Sequence, residues 1–411
     1  MGLRTAHRRA RLAAAATGIT LLAAGCGGAT TSTTGDAAGA ATTCDPKAVG
    51  PGVTDKEILL GTTMPLTGSA AAGGLGTKEG QEAFYSKLNK EGGVQGRTIK
   101  LTVLDDAYDP SQAQKQMRQL VERDKIFAVS GGEGTPNFLG VVPYLKRQKV
   151  PAIAPYAPSD TLGNMTNPDV FMATVDYIQE FDLLTGYVLK QGPAKKVALV
   201  GVAGNVGDNA KAGMEKALAG KGVELLYIPE TPGTTDFTPI ASQLKQSGAD
   251  WVFLILTNAD TGGLLQAVSR IGYTPKTAAW AGMSDDSYIK EFGALSQNMI
   301  VALETASLAS SNPKVQQFVR DFKAETGQEP TKFNQLGWVQ AQLTTEALKR
   351  AKGLSRGCLV EALESVSGFE TGILPPVTWG KDDRAGVDAV GIGQIKGDKL
   401  VVLEETTSSG K

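Results

Sequence analysis

The 411-residue sequence has almost no histidine, and this scarcity excludes whole classes of enzyme. The only histidine is His7, which lies in an N-terminal segment that we expect to be removed. A mature chain without histidine forms no Ser-His-Asp triad, no Cys-His pair and no zinc site with histidine ligands. The loops after the predicted strands contain no Gly-x-Ser-x-Gly or Ser-x-x-Lys set either. We therefore predict a protein that is not an enzyme.

The sequence also lacks an excess of charge of either sign. Its 41 lysines and arginines balance 42 aspartates and glutamates, so no basic surface argues for a nucleic-acid partner. After the N-terminal segment, no apolar run reaches the ~20 residues that a transmembrane helix needs. We expect no nucleic acid, metal or cofactor, in a chain long enough for two domains.

The first 25 residues follow the sequence pattern of a secretory signal peptide. Four arginines precede the apolar run 12–25, and small residues lead from there into Cys26. The stretch Leu22–Cys26 resembles a bacterial lipobox, which implies cleavage before the cysteine and lipidation of its thiol. An ordinary signal peptide cut near Ala24 and a transmembrane helix are the alternatives, but the apolar run is short for a membrane span.

Residues 27–43 consist almost wholly of glycine, alanine, threonine and serine. Such a segment cannot bury enough apolar surface to fold, so we predict a lipidated N-terminus and flexible linker over residues 26–53. Acyl chains on Cys26 would hold the protein at the membrane, and the linker would let the folded part stand away from it. The predicted location is extracytoplasmic, at the outer face of the bacterial cell membrane.

Only two cysteines, Cys44 and Cys358, follow Cys26. Two cysteines outside the cytoplasm usually pair, because the compartment is oxidising. We predict a disulfide that joins the start of the fold to a late helix, with two isolated thiols as the alternative.

Strand-like and helix-like runs alternate from Ile58 onward. Apolar strands separated by helices predict parallel sheets covered on both faces, and the number of strands favours two doubly wound α/β domains. In such sheets, ligands gather beyond the carboxyl ends of the strands. Those ends are predicted at residues 65–69, 131–135 and 155–159, which are rich in glycine and hydroxyl groups.

Four motifs stand out along the chain. They are Ile58–Gly61 followed by Pro65–Gly68, then Asn89–Gly96, then Asp105–Ala113, which is the most specific, and lastly Pro376–Trp379. Together they resemble the solute-binding lipoproteins of branched-chain amino acid-type ABC importers, which have a type I periplasmic-binding-protein fold. The resemblance covers Thr54 to the C-terminus and implies capture of a small organic solute, such as an amino acid or a carboxylate, for the permease subunits of an importer.

The resemblance also implies how the chain is divided. Three crossovers are expected near Thr174, Thr305 and Leu374. The N-terminal lobe would comprise residues 54–173 with 306–373, and the C-terminal lobe residues 174–305 with 374–411. The ligand would lie between the lobes and be buried when they close.

Pocket positions follow from the resemblance one at a time. The implied ligand-binding residues are Gly134, Thr135, Tyr156, Ala157, Ser159, Val206, Asn258, Met283 and Asp285. Thr135 stands where amino-acid-binding members have the hydroxyl that receives the ligand carboxylate. Aromatic residues of those members are replaced here by Gly73 in the first loop and by Val206 and Asn258 in the second lobe.

Met283 stands where amino-acid-binding members have the acid that neutralises the ligand ammonium. An ammonium buried without a carboxylate partner costs several kcal/mol. Unless Asp285, two residues on, reaches the ligand, the pocket should not favour a free amino acid. The alternative for Asp285 is a solvated side chain.

Other chemistry-bearing patterns have structural explanations. Asp105, Asp106 and Asp109 would fit a metal or acid/base site, but a strand end and a helix cap explain them better. The segment Gly131–Thr135 lacks the Gly-Lys-Ser/Thr ending of a P-loop. Among the aromatic residues, we interpret Tyr156 as a pocket wall rather than a core residue, and Trp251 and Trp280 as core.

The sequence therefore predicts a membrane-tethered receptor that delivers a solute to an ABC importer. A sensory module of the same fold, signalling to a membrane partner, is the first alternative. An extracellular enzyme that works without histidine is the second.

Overall fold

The computed structural model describes residues 43–408. The predicted signal peptide, the lipidation site Cys26 and most of the predicted linker lie outside these residues. Within 43–408, no helix combines the length and the apolar character that a membrane span requires.

The first lobe is built on a five-stranded parallel sheet with strand order β2-β1-β3-β4-β5. Helices from both ends of the described chain cover this sheet. The strands are β1 (Glu57–Met64), β2 (Thr98–Asp105), β3 (Ala128–Ser130), β4 (Ala152–Ile153) and β5 (Val170–Phe171). The helices are α1 (Ala71–Lys90), α2 (Pro110–Arg118), α3 (Thr135–Gln148) and, from later in the chain, α9 (Pro313–Thr326), α10 (Lys332–Arg350) and α11 (Arg356–Glu364).

The second lobe is built on a seven-stranded sheet with strand order β12-β11-β10-β9-β8-β6-β7. Its strands are β6 (Lys196–Val202), β7 (Glu224–Glu230), β8 (Trp251–Ile255), β9 (Lys276–Ala279), β10 (Ile300–Leu303), β11 (Ala389–Lys396) and β12 (Lys399–Ser408). Its helices are α4 (Tyr177–Lys190), α5 (Asn205–Leu218), α6 (Thr238–Ser247), α7 (Asn258–Arg270) and α8 (Asp286–Phe292). Each sheet has its own apolar core, so the prediction of two doubly wound α/β lobes is confirmed.

The last two strands of the second sheet differ from the predicted parallel pattern. β11 runs antiparallel to β10, and β12 runs antiparallel to β11. A tight turn at Gly397, whose φ is +67°, joins the two strands. A glycine accepts this left-handed conformation without the steric cost of a side chain, so no crossover helix is needed here.

The chain alternates between the two sheets: β5 of the first sheet is followed by β6 of the second, and α9 to α11 separate β10 from β11 of the second sheet. The crossovers near Thr174, Thr305 and Leu374, and the lobe bounds that depend on them, stay predictions. Val377 and Trp379 are buried in the apolar cluster that also contains residues of the first sheet. The indole Nε1 of Trp379 donates a hydrogen bond to the carbonyl of Met172 at 2.5 Å, so the chain enters the second sheet only at Ala389.

A disulfide joins Cys44 to Cys358, which lies in α11. This pairing confirms the predicted bond between the start of the fold and a late helix, and it contradicts the alternative of two isolated thiols. The bond ties together residues 314 positions apart in the sequence.

α1 and α10 pack closely enough to require glycine on each. A Cβ added at Gly80 in α1 would overlap the carbonyl oxygen of Asn334, and one added at Gly337 in α10 would overlap that of Thr77. We expect Gly337→Ala to lower the free energy of unfolding by about 2 kcal/mol, because the helices must separate to admit the methyl group. Urea unfolding followed by circular dichroism measures the change.

Gly186→Ala is the matched control, because a Cβ at this position in α4 meets no atom within 4 Å. Alanine there should stabilise the helix by up to about 1 kcal/mol. An equal effect of the two substitutions would contradict the close packing of α1 and α10.

Candidate functional site

A cleft lies where the strand-end loops of the two lobes face each other. It contains about 540 Å³ of space not occupied by protein atoms, including its open mouth. The first lobe contributes Ser69, Ala70, Ala72, Gly73, Tyr108, Glu133, Gly134, Thr135, Tyr156 and Phe333, and the second contributes Tyr177, Val202, Val206, Ile255, Leu256, Thr257, Asn258 and Trp280. The cleft is therefore mostly aromatic and aliphatic, with a few polar groups from each side.

Four helices start at this cleft directly after the carboxyl end of a parallel strand of their own lobe. They are α1 and α3 in the first lobe and α5 and α7 in the second. α1, α3 and α5 begin without a side-chain cap, whereas Thr257 caps α7. Among the other helices of the described residues, α6 also lacks a cap, but α2, α4 and α8 to α11 are capped by Asp, Asn, Thr or Ser. First-turn N–H groups of α3 and α5 are available to a ligand, whereas in α1 the N–H groups of Ala71 and Gly73 already donate to the carbonyls of Gly68 and Ala70.

Five of the residues predicted to bind ligand line this cleft. They are Gly134, Thr135, Tyr156, Val206 and Asn258. The hydroxyl groups of Thr135 and Tyr177 lie 3.0 Å apart and form a hydrogen bond across the lobes. The buried amide Nδ2 of Asn258 has no hydrogen-bond partner, so it is a donor that a ligand could satisfy.

The other four predicted residues are buried but do not line the cleft. Ala157 and Met283 lie in the apolar cores, and Ser159 bonds Thr161 within a turn. The carboxylate of Asp285 is fully buried and caps α8, where it accepts a hydrogen bond from the backbone N–H of Ser287 at 2.9 Å. It also accepts one from the N–H of Phe333 at 3.3 Å, so the alternative of a solvated side chain is wrong.

The structure shows where the three aromatic residues of the sequence analysis lie, namely Tyr156, Trp280 and Trp251. Tyr156 lines the cleft, as a pocket wall would, and its ring stacks with that of Trp280 at a centroid distance of 6.2 Å. The prediction that Trp280 is a core residue is wrong, because its ring also lines the cleft. The indole Nε1 donates to the carbonyl of Leu256 at 2.9 Å, which holds the ring at the cleft surface. Trp251 is in the core as predicted.

Glu133 is a cleft residue that the sequence reasoning missed. Its side chain is 8% exposed, and its buried Oε2 has no hydrogen-bond partner. Burial raises the pKa of this carboxyl to about 8, with a further rise from Asp106 that Lys332 opposes. A Cβ at position 73 would lie 2.6 Å from Oε1, so Gly73 makes room for the acid. The signal was an acidic residue at the carboxyl end of β3.

A second buried charged cluster lies beside the cleft. Lys332 Nζ is 3.8 Å from Glu304 Oε2, and it donates a hydrogen bond to the Tyr156 hydroxyl at 3.1 Å. That hydroxyl donates in turn to Glu304 at 2.6 Å. Glu180 accepts from the N–H of Ala281 at 2.6 Å, and burial followed by the nearby Glu304 raises its pKa to about 8. The cluster links residues of both lobes.

The three aspartates after β2 hold their own loop. Asp109 caps α2 by accepting from the N–H groups of Ser111 and Gln112. Asp105 accepts from the N–H of Leu66 at 2.8 Å, and Asp106 accepts from the side chain of Asn137 at 2.5 Å. These contacts support the structural interpretation of the aspartates. Across residues 43–408, no group of three or more His, Cys, Asp or Glu side chains is arranged to bind a metal.

Known proteins are similar to this chain in sequence or in fold. A curated relative from Brucella melitensis, "Leu/Ile/Val-binding protein homolog 3", is 29% identical over 66% of this chain and 73% of its own length. A fatty acid ABC transporter substrate-binding protein from Thermomonospora curvata has the same fold, with a TM-score of 0.81 and 22% identity over 88% of this chain and 95% of the other. A branched-chain amino acid ABC transporter protein from Thermus thermophilus with bound valine has a TM-score of 0.79 and 20% identity, covering 87% and 98%.

The family described as "Periplasmic binding protein" matches residues 57–399, which include both sheets up to the first residue of β12. Its members are binding proteins, and the structure contains a cleft between two doubly wound lobes. The chain therefore belongs to the periplasmic binding protein family.

Proposed function

We propose that this protein captures a small organic solute between its lobes outside the cytoplasm and delivers it to an ABC importer. In this proposal, Gly134, Thr135, Tyr156, Val206 and Asn258 contact the solute. Acyl chains on Cys26 would keep the protein at the membrane beside its permease.

One observation carries the proposal: both lobes supply the walls of a single cleft. A solute held there contacts both sheets at once, so it favours the closed arrangement of the lobes over the open one. The names of the relatives also support a binding role, since the Brucella melitensis protein is named for leucine, isoleucine and valine. Closure would then distinguish loaded from empty protein for the importer.

Solute depletion by growing cells tests this function. Cells that lack the gene and cells complemented with the full chain would grow in a defined mixture of the twenty amino acids and C4–C8 monocarboxylates. We expect at least one compound to disappear from the medium more slowly without the gene. A complementing Cys26→Ser variant should move from the membrane fraction to the soluble fraction and restore less uptake. Identical depletion of every compound by both strains would contradict delivery to an importer.

A further inference from the structure

The cleft contains one acidic side chain that lacks a partner, and its surroundings suggest what it is for. We infer that the ligand is a monocarboxylate with an apolar body and no ammonium group, and that Glu133 donates a hydrogen bond to the ligand carboxylate. The inference rests on the proposed solute-binding function and specifies the substrate class. It starts from Oε2 of Glu133, a buried oxygen without a hydrogen-bond partner in a side chain that is 8% exposed.

The groups around this acid favour an anion. The first turns of α1, α3 and α5 reach the cleft without side-chain caps, and a helix N-terminus carries partial positive charge. The hydroxyl of Thr135 and the unpartnered amide Nδ2 of Asn258 add donors from opposite lobes. A carboxylate in the cleft would therefore meet hydrogen-bond donors from both sides.

The same cleft offers no established counter-ion for an ammonium. Met283 is buried in the second core, and both oxygens of Asp285 already accept hydrogen bonds that cap α8 and bind the N–H of Phe333. Among the residues that line the cleft, Glu133 is the only acid, and no lysine or arginine is among them. The remaining walls are aromatic and aliphatic, which suits an apolar ligand body.

The protonation of Glu133 agrees with a donor role. Burial raises the pKa of this carboxyl to about 8, so the acid is mostly neutral at pH 7 and carries a proton to donate. Asp106 and Asp285 raise this pKa further, and Lys332 lowers it. Tyr108, Tyr156 and Tyr177, the tyrosines that line the cleft, have their pKa values raised by burial and stay neutral. A ligand anion beside Glu133 would raise the pKa of the acid again.

Three probes that share one apolar body separate the possible ligand classes. Leucine carries both charged groups, 4-methylpentanoate carries only the carboxylate, and 3-methylbutylamine carries only the ammonium. Isothermal titration of the full chain at pH 7 should show 4-methylpentanoate binding about tenfold or more tightly than leucine, because leucine would bury an unpaired ammonium. The amine should not bind.

Glu133→Gln tests the donor role, since the glutamine amide is neutral and can still donate. We expect the variant to bind 4-methylpentanoate within about threefold of the wild type at pH 7. Wild-type affinity should fall about tenfold between pH 7 and 9 as Glu133 ionises, while the affinity of the variant stays constant. Glu57→Gln, at an exposed position far along β1 from the cleft, is the control and should follow the wild type.

Each opposite result overturns the inference. Tighter binding of leucine or the amine than of 4-methylpentanoate would make Glu133 the counter-ion of a ligand ammonium. A loss of tenfold or more in the affinity of Glu133→Gln for 4-methylpentanoate at pH 7 would contradict the donor role of the neutral acid. Failure of all C4–C8 monocarboxylates to bind would also overturn it. None of these results contradicts the proposed function, which fails only if solute depletion is independent of the gene.

Discussion

Lys332→Met should lower the free energy of unfolding by about 3 kcal/mol at pH 8, since removing one partner of a buried ion pair leaves the other charge uncompensated. The side chain of Lys332 is 4% exposed and that of Glu304 is 2% exposed. The raised pKa of Glu180 and of Glu304 shows that burial already disfavours both carboxylates, and Lys332 opposes the shift in each. Without the Lys332 ammonium, no cation of this cluster remains beside Glu180 and Glu304.

The loss should depend on pH in a definite direction. An acid whose folded pKa exceeds its unfolded pKa binds more protons in the folded state, so stability falls as the pH rises between the two values. For Glu180 this window runs from its ordinary pKa of 4.5 to about 8. Lys332→Met would raise the folded pKa of both acids further and extend the fall to higher pH, so we expect a loss of only about 1 kcal/mol at pH 5. Urea unfolding at both pH values measures the difference.

Lys314→Met is the matched control for this prediction. Lys314 pairs with Glu370 at 3.0 Å, but both side chains are about half exposed or more. Exposed pairs contribute about 0–1 kcal/mol, so this variant should change little at either pH. Equal losses at pH 5 and pH 8 in Lys332→Met would show that apolar packing, and not charge, determines the effect.

Removing the disulfide with Cys44→Ala and Cys358→Ala should lower the free energy of unfolding by about 4 kcal/mol. The bond closes a loop of 314 residues, so in the chain-entropy account it restrains nearly the whole unfolded chain. The residues before β1 are held at the same part of the fold. The backbone N–H of Gly50 donates to the carbonyl of Leu354 at 2.7 Å, and Leu354 lies close to Cys358 in the sequence. Denaturant unfolding of the oxidised protein and the double variant measures the loss.

Two controls distinguish the effect of losing the disulfide bond from the effect of replacing the cysteine side chains. Wild-type protein in reducing buffer should match the double variant, and Cys26→Ser in oxidising buffer should match the wild type. If the double variant lost less than about 1 kcal/mol, the segment before β1 would detach without consequence for the rest of the fold.

Periodicity and end signals predicted most elements of the fold. The sequence predicts strands over Thr98–Asp105 and Lys196–Val202 and a helix over Pro313–Thr326, and the structure has the same bounds. For α1 the sequence predicts a start at Thr77, but the helix begins at Ala71, because a run of alanine and glycine has no apolar periodicity. The sequence analysis predicts no helix at α4, although Asp176 caps it in the structure.

The candidate site was only partly predictable. Thr135 and Tyr156 follow strand ends, so topology brings them to the cleft. Glu133 also follows a strand end, but its importance comes from burial and from the space that Gly73 leaves on another element, which the sequence does not show. Trp280 was misplaced because a residue directly after a strand can face either the core or the cleft, and only the turn that follows decides this.

The sequence positions of the segments that form each lobe predict an order of folding. Strands β6 to β10 and helices α4 to α8 come from one continuous stretch, whereas the first sheet needs α10, which is far away in the sequence. Pairings between distant segments form more slowly than local ones, because the intervening chain must first be ordered. We expect the second lobe to become structured while the first still exposes the apolar face that α10 covers. During export, that face would be the part of the molecule most exposed to aggregation.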